Sequence, residues 1–269
     1  MNLTSFWDNK GEKPLDNIVN DGGMCAIFRR IACIGDSLSS GEFEGKNAEG
    51  NKTYHDMFEY SWGQYIARAA GSTVLNFSRG GMTAKEYCES FAEAKGFWDK
   101  DKACQAYIIA LGVNDISRAM EKGEQLGSID DIDIDNRKNN RPTFAGFYAQ
   151  IIQRIREIQP KCRIFLVGLP HSCRGQAREV YEERHRKLLF EMSELFEYTY
   201  VLDLWQYAPV YDADFKDRFY LGGHMNPMGY IFTAKMIASY IDYIVRHNYD
   251  DFRQVGFIGT GHHNTDYKW

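Results

Sequence analysis

Short apolar runs alternate with stretches of helical spacing, and this alternation constrains the fold more than any other feature of the chain. The first run is Arg29–Ile34, and similar runs follow at residues 73–77, 106–111, 163–168 and 200–204. Apolar residues recur at helical spacing over residues 62–70, 83–98, 144–159 and 177–196, and a last helix is predicted from Pro227 to His247 with Asn226 as its N-cap. Strands separated by helices pair in parallel through right-handed crossovers. The pattern therefore predicts a three-layer α/β/α sandwich around a sheet of about five strands.

The length and composition fit one large domain. The chain has 269 residues, of which 44% are apolar, enough for a substantial buried core. We assign residues 29–247 to this domain and residues 1–28 to an N-terminal arm. Residues 248–269 form a tail, predicted to pack on the same domain or on a neighbouring subunit of a homo-oligomer; its adjacent histidines, His262 and His263, are a poor metal signal.

Charge and hydropathy exclude several classes of partner. The net charge is −5, so no basic surface indicates a nucleic acid or an anionic membrane, and a small-molecule substrate is expected. Residues 1–8 lack the apolar stretch of a secretory signal, and no window reaches the ~20 apolar residues of a membrane span. The six cysteines are scattered singly, typical of free thiols in a reducing compartment. We therefore expect a cytoplasmic protein without a cofactor.

One long insertion, residues 117–141, interrupts the regular alternation. Its acids fall at alternate positions from Asp130 to Asp135, as at the start of a calcium loop. The sixth loop position is Asn136 instead of glycine, and the twelfth is Pro142 instead of glutamate. We interpret the segment as a solvated loop over the active-site face, with metal binding as the alternative, and predict no metal site.

Four motifs follow predicted strands, where the carboxyl ends of a parallel sheet gather functional groups. They are Gly35-Asp36-Ser37-Leu38, Gly80-Gly81, Asn114 and, before the last helix, Gly222-Gly223-His224. A serine hydroxyl can act as nucleophile, a histidine as its general base, and a helix-start N–H or an amide as oxyanion donors. The alternatives are helix caps for the serine and the asparagine, an ordinary loop for the glycines, and a structural histidine.

The order serine, glycine, asparagine, histidine resembles the SGNH, or GDSL, superfamily of lipases and acylhydrolases. The resemblance spans about residues 31–230 and implies a flavodoxin-like three-layer sandwich that hydrolyses esters, thioesters or acetylated sugars. It implies Ser37 as nucleophile and His224 as general base. It also implies an oxyanion hole made by the N–H groups of Ser37 and Gly81 and the side chain of Asn114.

One position departs from the family pattern. The family usually carries an aspartate three residues before the histidine, and here that position is Leu221. Three explanations remain open: a displaced acid, with Asp217 preferred over Asp214 and Asp212; a backbone carbonyl that fixes the tautomer; or an inactive protein. A Ser37–His224 dyad with a substitute orienting group is the favoured interpretation.

The resemblance implies hydrolysis of short acyl esters, with acetyl groups on carbohydrates as one candidate, through an acyl-serine intermediate. An acyltransferase with the same serine and a catalytically impaired binding protein are the alternatives. Aromatic residues near the motifs, namely Phe43, Tyr54, Trp62 and Tyr220, are candidates to line the pocket. His171 and Arg174, just after the fourth predicted strand, are further candidates, with a structural role in a loop as the alternative.

Overall fold

A five-stranded parallel sheet forms the centre of the protein. The computed structural model describes residues 11–256. The central strands are β1 (Arg30–Gly35), β4 (Thr73–Ser78), β5 (Ala106–Ala110), β6 (Arg163–Val167) and β7 (Thr199–Leu202). Their order across the sheet is β4-β1-β5-β6-β7. Two antiparallel pairs accompany them: β2 (Glu42–Lys46) with β3 (Lys52–Asp56), and β8 (Tyr220–Leu221) with β9 (His224–Met225). The predicted three-layer sandwich and its flavodoxin-like strand order are confirmed.

Helices cover both faces of the sheet. They are α1 (Ser37–Ser40), α2 (Trp62–Ala70), α3 (residues 84–94), α4 (Val113–Lys122), α5 (Phe144–Ile158), α6 (Gln176–Leu195), α7 (Leu204–Tyr207), α8 (Ala213–Phe219) and α9 (Pro227–His247). Helices α3 to α6 pack on one face, and α2, α8 and α9 pack on the other. In α3, the segment Tyr87–Phe91 is a π-helical turn. Single turns of 3₁₀ helix occur elsewhere, as at Gly23–Ile27.

The first strand illustrates why such short apolar runs form the centre of the sheet. Successive side chains of a strand point to opposite faces. In β1, Ile31 and Cys33 enter the core under α2 and α9, whereas Ala32 and Ile34 enter the core under α3 to α6. A strand that is buried on both faces needs apolar residues throughout, which is the pattern that predicted it.

The last helix begins and ends where the sequence predicted. The side chain of Asn226 accepts a hydrogen bond from the N–H of Gly229, and Pro227 occupies the first turn. The N-terminal segment packs against this helix: Glu12 pairs with Arg246, and the N–H of Val19 donates to Ser239 Oγ. No helix within residues 11–256 is long and apolar enough to cross a membrane.

The insertion does not lie where it was predicted. Arg137 Nε lies 2.8 Å from Glu157 Oε1, and Gln153 Nε2 donates to the carbonyl of Asp133 (2.7 Å). Both partners belong to the last turns of α5, which lead to the amino end of β6. The insertion therefore packs along α5 toward the edge of the sheet opposite Ser37, and its predicted position over the active-site face is wrong.

Carboxylates of the insertion accept hydrogen bonds from the chain itself. Asp131 Oδ2 accepts from the N–H of Ser128 and the hydroxyl of Thr143, both at 3.0 Å. Asp133 Oδ1 accepts from two backbone N–H groups of the following turn. Residues 117–122 are the continuation of α4, so the irregular part of the segment begins at Gly123.

All six cysteines are free, as the sequence predicted. Cys25, Cys33, Cys104 and Cys162 are at most 1% exposed, and burial raises the pKa of the Cys162 thiol to about 11. Buried thiols with raised pKa values behave as small apolar groups rather than as nucleophiles.

Candidate active site

Ser37 is the first residue of α1, directly after a tight turn at the end of β1. Asp36 is the N-cap of that helix, and its Oδ1 accepts the N–H of Leu38 at 3.0 Å. A Cβ on Gly35 would lie 2.1 Å from Ser39 Oγ, so a side chain at this position would collide with α1. The cap is Asp36, so the alternative of Ser37 as the helix cap does not hold. The N–H of Ser37 has no acceptor among residues 11–256 and is available to an oxyanion.

Gly81 lies in a turn after β4 that is closed by a hydrogen bond from the N–H of Met82 to the carbonyl of Arg79 (3.3 Å). Its φ is +71°, in the left-handed region that favours glycine. Within residues 11–256 the N–H of Gly81 has no hydrogen-bond acceptor. A second unpaired backbone donor is therefore present beside the Ser37 turn.

Asn114 connects the loops that follow three strands. Its Nδ2 donates to the carbonyl of Met82 at 3.1 Å and to Asp36 Oδ2 at 3.4 Å. Helix α4 begins at Val113 after Gly112 as N-cap, so the alternative of Asn114 as the helix cap does not hold either. The hydrogen bond to Asp36 is the longer and therefore the weaker of the two, so an oxyanion can replace it at the smaller cost in free energy.

Gly112 accounts for the position of Asn114. Its φ is +137°, and a Cβ at this residue would lie 2.3 Å from Nε2 of His185. That nitrogen contacts the carbonyl of Leu111 at 3.0 Å. His185 is fully buried, and burial lowers its pKa to about 4. His185 is thus a neutral, structural histidine that packs against Gly112 at the start of α4.

His224 faces the same cleft as these three residues. It lies on β9, after the two-residue turn Gly222-Gly223 that joins β8 to β9. One cleft is lined by Ser37, Gly81, Asn114 and His224, together with Glu42, Tyr54, Asp56, Arg79 and Gly80. The structure therefore brings the four predicted groups to one place, although their chemical roles remain a prediction.

Two glutamates flank the imidazole of His224. Nε2 lies 3.0 Å from Glu42 Oε1, and Nδ1 lies 3.9 Å from Glu44 Oε2. Nδ1 is buried and has no hydrogen-bond partner among residues 11–256, so Glu44 is the carboxylate that faces it. Glu42 lies at the cleft, where burial raises the pKa of its carboxyl and His224 opposes that rise. One carboxylate therefore faces each nitrogen of the ring.

Asp217, the predicted orienting acid, does not fill that role. It is exposed on α8, and no contact joins it to His224 within residues 11–256. Asp214 pairs instead with Arg218, and Asp212 caps α8 through the N–H of Phe215. None of the three reaches the imidazole, because Asp217 and Asp214 are exposed on α8 and Asp212 is engaged at its N-terminus.

Glu44 is held in place by the glycine turn before His224. Its Oε2 accepts the N–H of Gly223 at 2.8 Å, and its Oε1 pairs with Lys52 at 2.7 Å. A Cβ on Gly222 would lie 2.3 Å from Glu44 Oε1. The lysine hydrogen bond, followed by the Gly223 N–H, keeps the pKa of Glu44 below its usual value. Glu44 is thus a fixed, ionised neighbour of the imidazole.

The hairpin that carries both glutamates was missed by the sequence analysis. Its signal is the alternation Glu42-Phe43-Glu44, which places the two acids on one face and Phe43 on the other. The Phe43 ring packs 5.4 Å from the ring of Tyr230 on α9. The turn is marked by Asn47, whose Oδ1 accepts the N–H groups of Glu49 and Asn51.

Two buried aspartates lie behind the site. Burial raises the pKa of both Asp36 and Asp115 to about 7, and nearby negative charge adds to the rise: that of Glu42 for Asp36 and that of Asp36 for Asp115. Asp115 Oδ1 accepts the N–H of Ala84 at 3.0 Å, while its Oδ2 is buried without a partner among residues 11–256. The charged form of Asp115 is therefore a destabilising element of the fold.

Asp115→Asn is expected to stabilise the protein much more at pH 8 than at pH 5. The folded wild type keeps a proton on Asp115 up to about pH 7, whereas the unfolded chain loses it near pH 4. Wild-type stability therefore falls by about 1.4 kcal/mol per pH unit between these values, on the order of 4 kcal/mol in all, and the variant escapes this loss. Urea denaturation at both pH values measures this. The control is Asp135→Asn, an exposed aspartate, and parallel pH profiles for Asp115→Asn and the wild type would contradict the expectation.

The comparison with protein families agrees with this arrangement. A model of the GDSL-like lipase/acylhydrolase family matches residues 33–231, a range that includes every group of the predicted machinery. The chain belongs to this family. Membership of the family supports esterase activity. No curated protein matches the chain in sequence.

Solved structures with the same fold include carbohydrate esterases. The family two carbohydrate esterase from Clostridium thermocellum, solved with cellohexaose, has a TM-score of 0.57 and 15% identity, over 89% of this chain and 66% of that one. A protein from Lactobacillus plantarum has a TM-score of 0.56 and 16% identity, over 82% of this chain and 98% of that one. The acetyl xylan esterase AlAXEase has a TM-score of 0.51 and 14% identity, over 79% of this chain and 99% of that one. The chain thus spans just under two thirds of the Clostridium esterase, and these likenesses concern the fold.

Proposed function

We propose that the protein is a serine esterase that cleaves short acyl esters through an acyl-serine intermediate. The observation that supports this most is that Ser37, Gly81, Asn114 and His224 line a single cleft at the carboxyl edge of the sheet. Two of the three oxyanion donors, the N–H groups of Ser37 and Gly81, have no other acceptor among residues 11–256. Donors that are free and fixed before the substrate arrives stabilise an oxyanion without reorganisation.

In the proposed reaction, Nε2 of His224 exchanges its contact with Glu42 for the hydroxyl of Ser37 and takes its proton. The serine oxygen attacks the ester carbonyl, and the oxyanion forms against the two N–H groups and the amide of Asn114. The imidazolium returns the proton to the leaving alcohol. A water, activated by the same nitrogen, then releases the acid from Ser37. Glu44, on the buried side of the ring, stabilises the imidazolium in both steps.

A fluorophosphonate probe tests the nucleophile. We expect one probe adduct per chain by intact mass, located on the tryptic peptide that contains Ser37. The reaction should be prevented by prior incubation with an excess of a short acyl ester at low temperature. An unlabelled protein, or label on a different serine, would refute Ser37 as the nucleophile. Unfolding the protein before labelling is the control, since activation of the hydroxyl needs the folded site.

The alcohol side of the substrate is proposed to be hydroxyl-rich, as in an acylated carbohydrate. The part of the cleft around His224 is lined by Glu42, Asp56, Tyr54 and Arg79, side chains that exchange hydrogen bonds with hydroxyl groups. The exposed ring of Tyr54 lies 5.6 Å from that of His224 and can support a sugar ring. The carbohydrate esterases with a similar fold are consistent with this proposal. A panel of acetylated sugars against simple alkyl acetates distinguishes the two leaving groups.

A further inference from the structure

A cysteine, a histidine and a glutamate lie in contact outside the Ser37 cleft, where the loop after β6 leads into α6. Cys173 Sγ lies 3.9 Å from Nδ1 of His171, and Nε2 of the same ring lies 3.2 Å from Glu179 Oε1. The cleft of the proposed esterase reaction is lined by other residues. A nucleophile within reach of a base that a third group orients is the arrangement that activates nucleophiles in enzymes.

The carboxylate of Glu179 fixes the tautomer of His171. A carboxylate only accepts hydrogen bonds, so Nε2 of the neutral ring carries its proton toward Glu179. Nδ1 then presents its lone pair to the sulfur of Cys173. The imidazole is therefore placed to take the proton of the thiol, and Glu179 stabilises the imidazolium that results.

The loop holds His171 and Cys173 on its outer side. Ser172, between them, is buried, and its hydroxyl donates to Glu182 Oε1 at 2.8 Å. The ring of His171 packs edge-on against the ring of Trp205 on α7, with 4.5 Å between the ring centroids. These contacts fix the base and leave the thiol open to solvent.

Cys173 differs from the other cysteines in its exposure. It is exposed, whereas four of the other five are buried, and the fifth, Cys88, donates its thiol hydrogen to the carbonyl of Phe147 at 3.3 Å. Burial raises the pKa of the Cys25 and Cys104 thiols to about 12. A reagent in water therefore meets one accessible thiol on the folded protein.

We propose that Cys173 is a reactive thiol that forms a mixed disulfide with low-molecular-weight disulfides, with His171 as its base. The site is separate from Ser37 and does not depend on the proposed esterase function. In the reaction, Nδ1 of His171 takes the thiol proton, and the thiolate attacks one sulfur of the small disulfide. The disulfide bond of the small molecule breaks as the bond to Cys173 Sγ forms. The leaving half departs as a thiolate and takes the proton from His171, so the small disulfide is the oxidant.

The neutral reagent dithiodipyridine counts and times the accessible thiols. We expect one thiol per folded wild-type chain to react, on the peptide that contains Cys173, and none in Cys173→Ser. An unfolded His171 variant would expose all six thiols, so the count also reports folding. Oxidised glutathione should add one glutathionyl group to the wild type, and an excess of dithiothreitol should remove it. Reaction at another cysteine, or the absence of an adduct, would overturn the assignment of Cys173.

His171→Asn tests the base through the pH dependence of the rate constant. Without the imidazole, the rate constant should fall about tenfold per pH unit below the ordinary thiol pKa of about 8.5. At pH 6 the wild type should react about fivefold faster than the variant. At pH 9 both thiols are mostly ionised, and the variant should react at least as fast, because a thiolate loses nucleophilicity as its proton affinity falls. The neighbouring cations Arg174 and Lys216 are present in both proteins, so this reversal isolates the imidazole.

Glu179→Gln tests the orienting carboxylate. The amide removes the negative charge beside the ring, and the rate constant at pH 6 should lie between those of the wild type and His171→Asn. Glu183→Gln, exposed on the same helix, is the matched control and should keep the wild-type profile. Equal rate constants for the wild type and His171→Asn at pH 6 would overturn the proposal. A difference by the same factor at pH 6 and pH 9 would also overturn it, because His171 would then affect only access to the thiol.

Discussion

Replacement of Ser37 with alanine is expected to lower kcat for p-nitrophenyl acetate by about 10⁴ to 10⁶. In the proposed mechanism the hydroxyl of Ser37 forms the covalent bond with the acyl group, and its loss removes the nucleophile. The N–H of residue 37 and the remaining donors persist in the variant, so a residual acceleration over water is expected from the oxyanion hole. KM should change little because the acyl and alcohol contacts are unaltered.

The measurement is steady-state hydrolysis with the wild type and the variant at equal folded concentration. Ser90→Ala is the matched control, since Ser90 lies exposed on α3 and its hydroxyl donates only to a helical carbonyl. This control should stay within about twofold of the wild type. Hydrolysis by Ser37→Ala at the wild-type rate would mean that the chemistry is carried out elsewhere on the chain. Ser37→Ala combined with replacement of His224 should lose little more than Ser37→Ala alone, because the two residues act as a unit.

The strands and principal helices could be predicted because their signals are local. A buried parallel strand such as Ile31–Ile34 is a continuous apolar run, and α9 is marked by Asn226 and Pro227 at its start. The positions of Ser37, Gly81 and Asn114 follow from the strands that precede them, since the carboxyl ends of parallel strands meet at one edge. Each of these inferences needs only neighbouring residues and one rule of topology.

The hairpin and the partner of His224 could not be predicted in this way. In the hairpin from Glu42 to Asp56, Phe43 packs against the core and is flanked on the chain by the two glutamates. The apolar pattern that would predict the hairpin therefore consists of a single residue. The aspartates close to Leu221 in the sequence are Asp212, Asp214 and Asp217, whereas the hydrogen bond from Gly223 reaches Glu44, 179 positions away. Such a contact depends on how the hairpin folds over the edge of the sheet. Local sequence patterns do not indicate which residues so far apart in the chain come into contact.

Glu44→Gln is expected to lower kcat by about 10² to 10⁴ while the protein stays folded. The loss of a carboxylate beside an imidazole in a serine triad costs about 10⁴, and the 3.9 Å separation of Glu44 Oε2 from Nδ1 indicates a looser interaction. The amide can still accept the N–H of Gly223, so the turn before His224 should survive. Without the nearby negative charge the imidazolium that forms in the proposed reaction is less stable, which accounts for the expected loss.

Glu42→Gln separates the roles of the two glutamates. Glu42 lies at Nε2, the nitrogen that accepts the proton of Ser37 in the proposed reaction, so its carboxylate is displaced there and its removal should cost less than about tenfold in kcat. Glu49→Gln, on the exposed turn of the same hairpin, is the control for the substitution itself. If Glu42→Gln loses more activity than Glu44→Gln, the base is Nδ1 and Glu42 is the orienting acid. If both variants retain wild-type kcat and the same pH–rate profile, neither carboxylate replaces the aspartate that Leu221 displaces, and a neutral group orients His224.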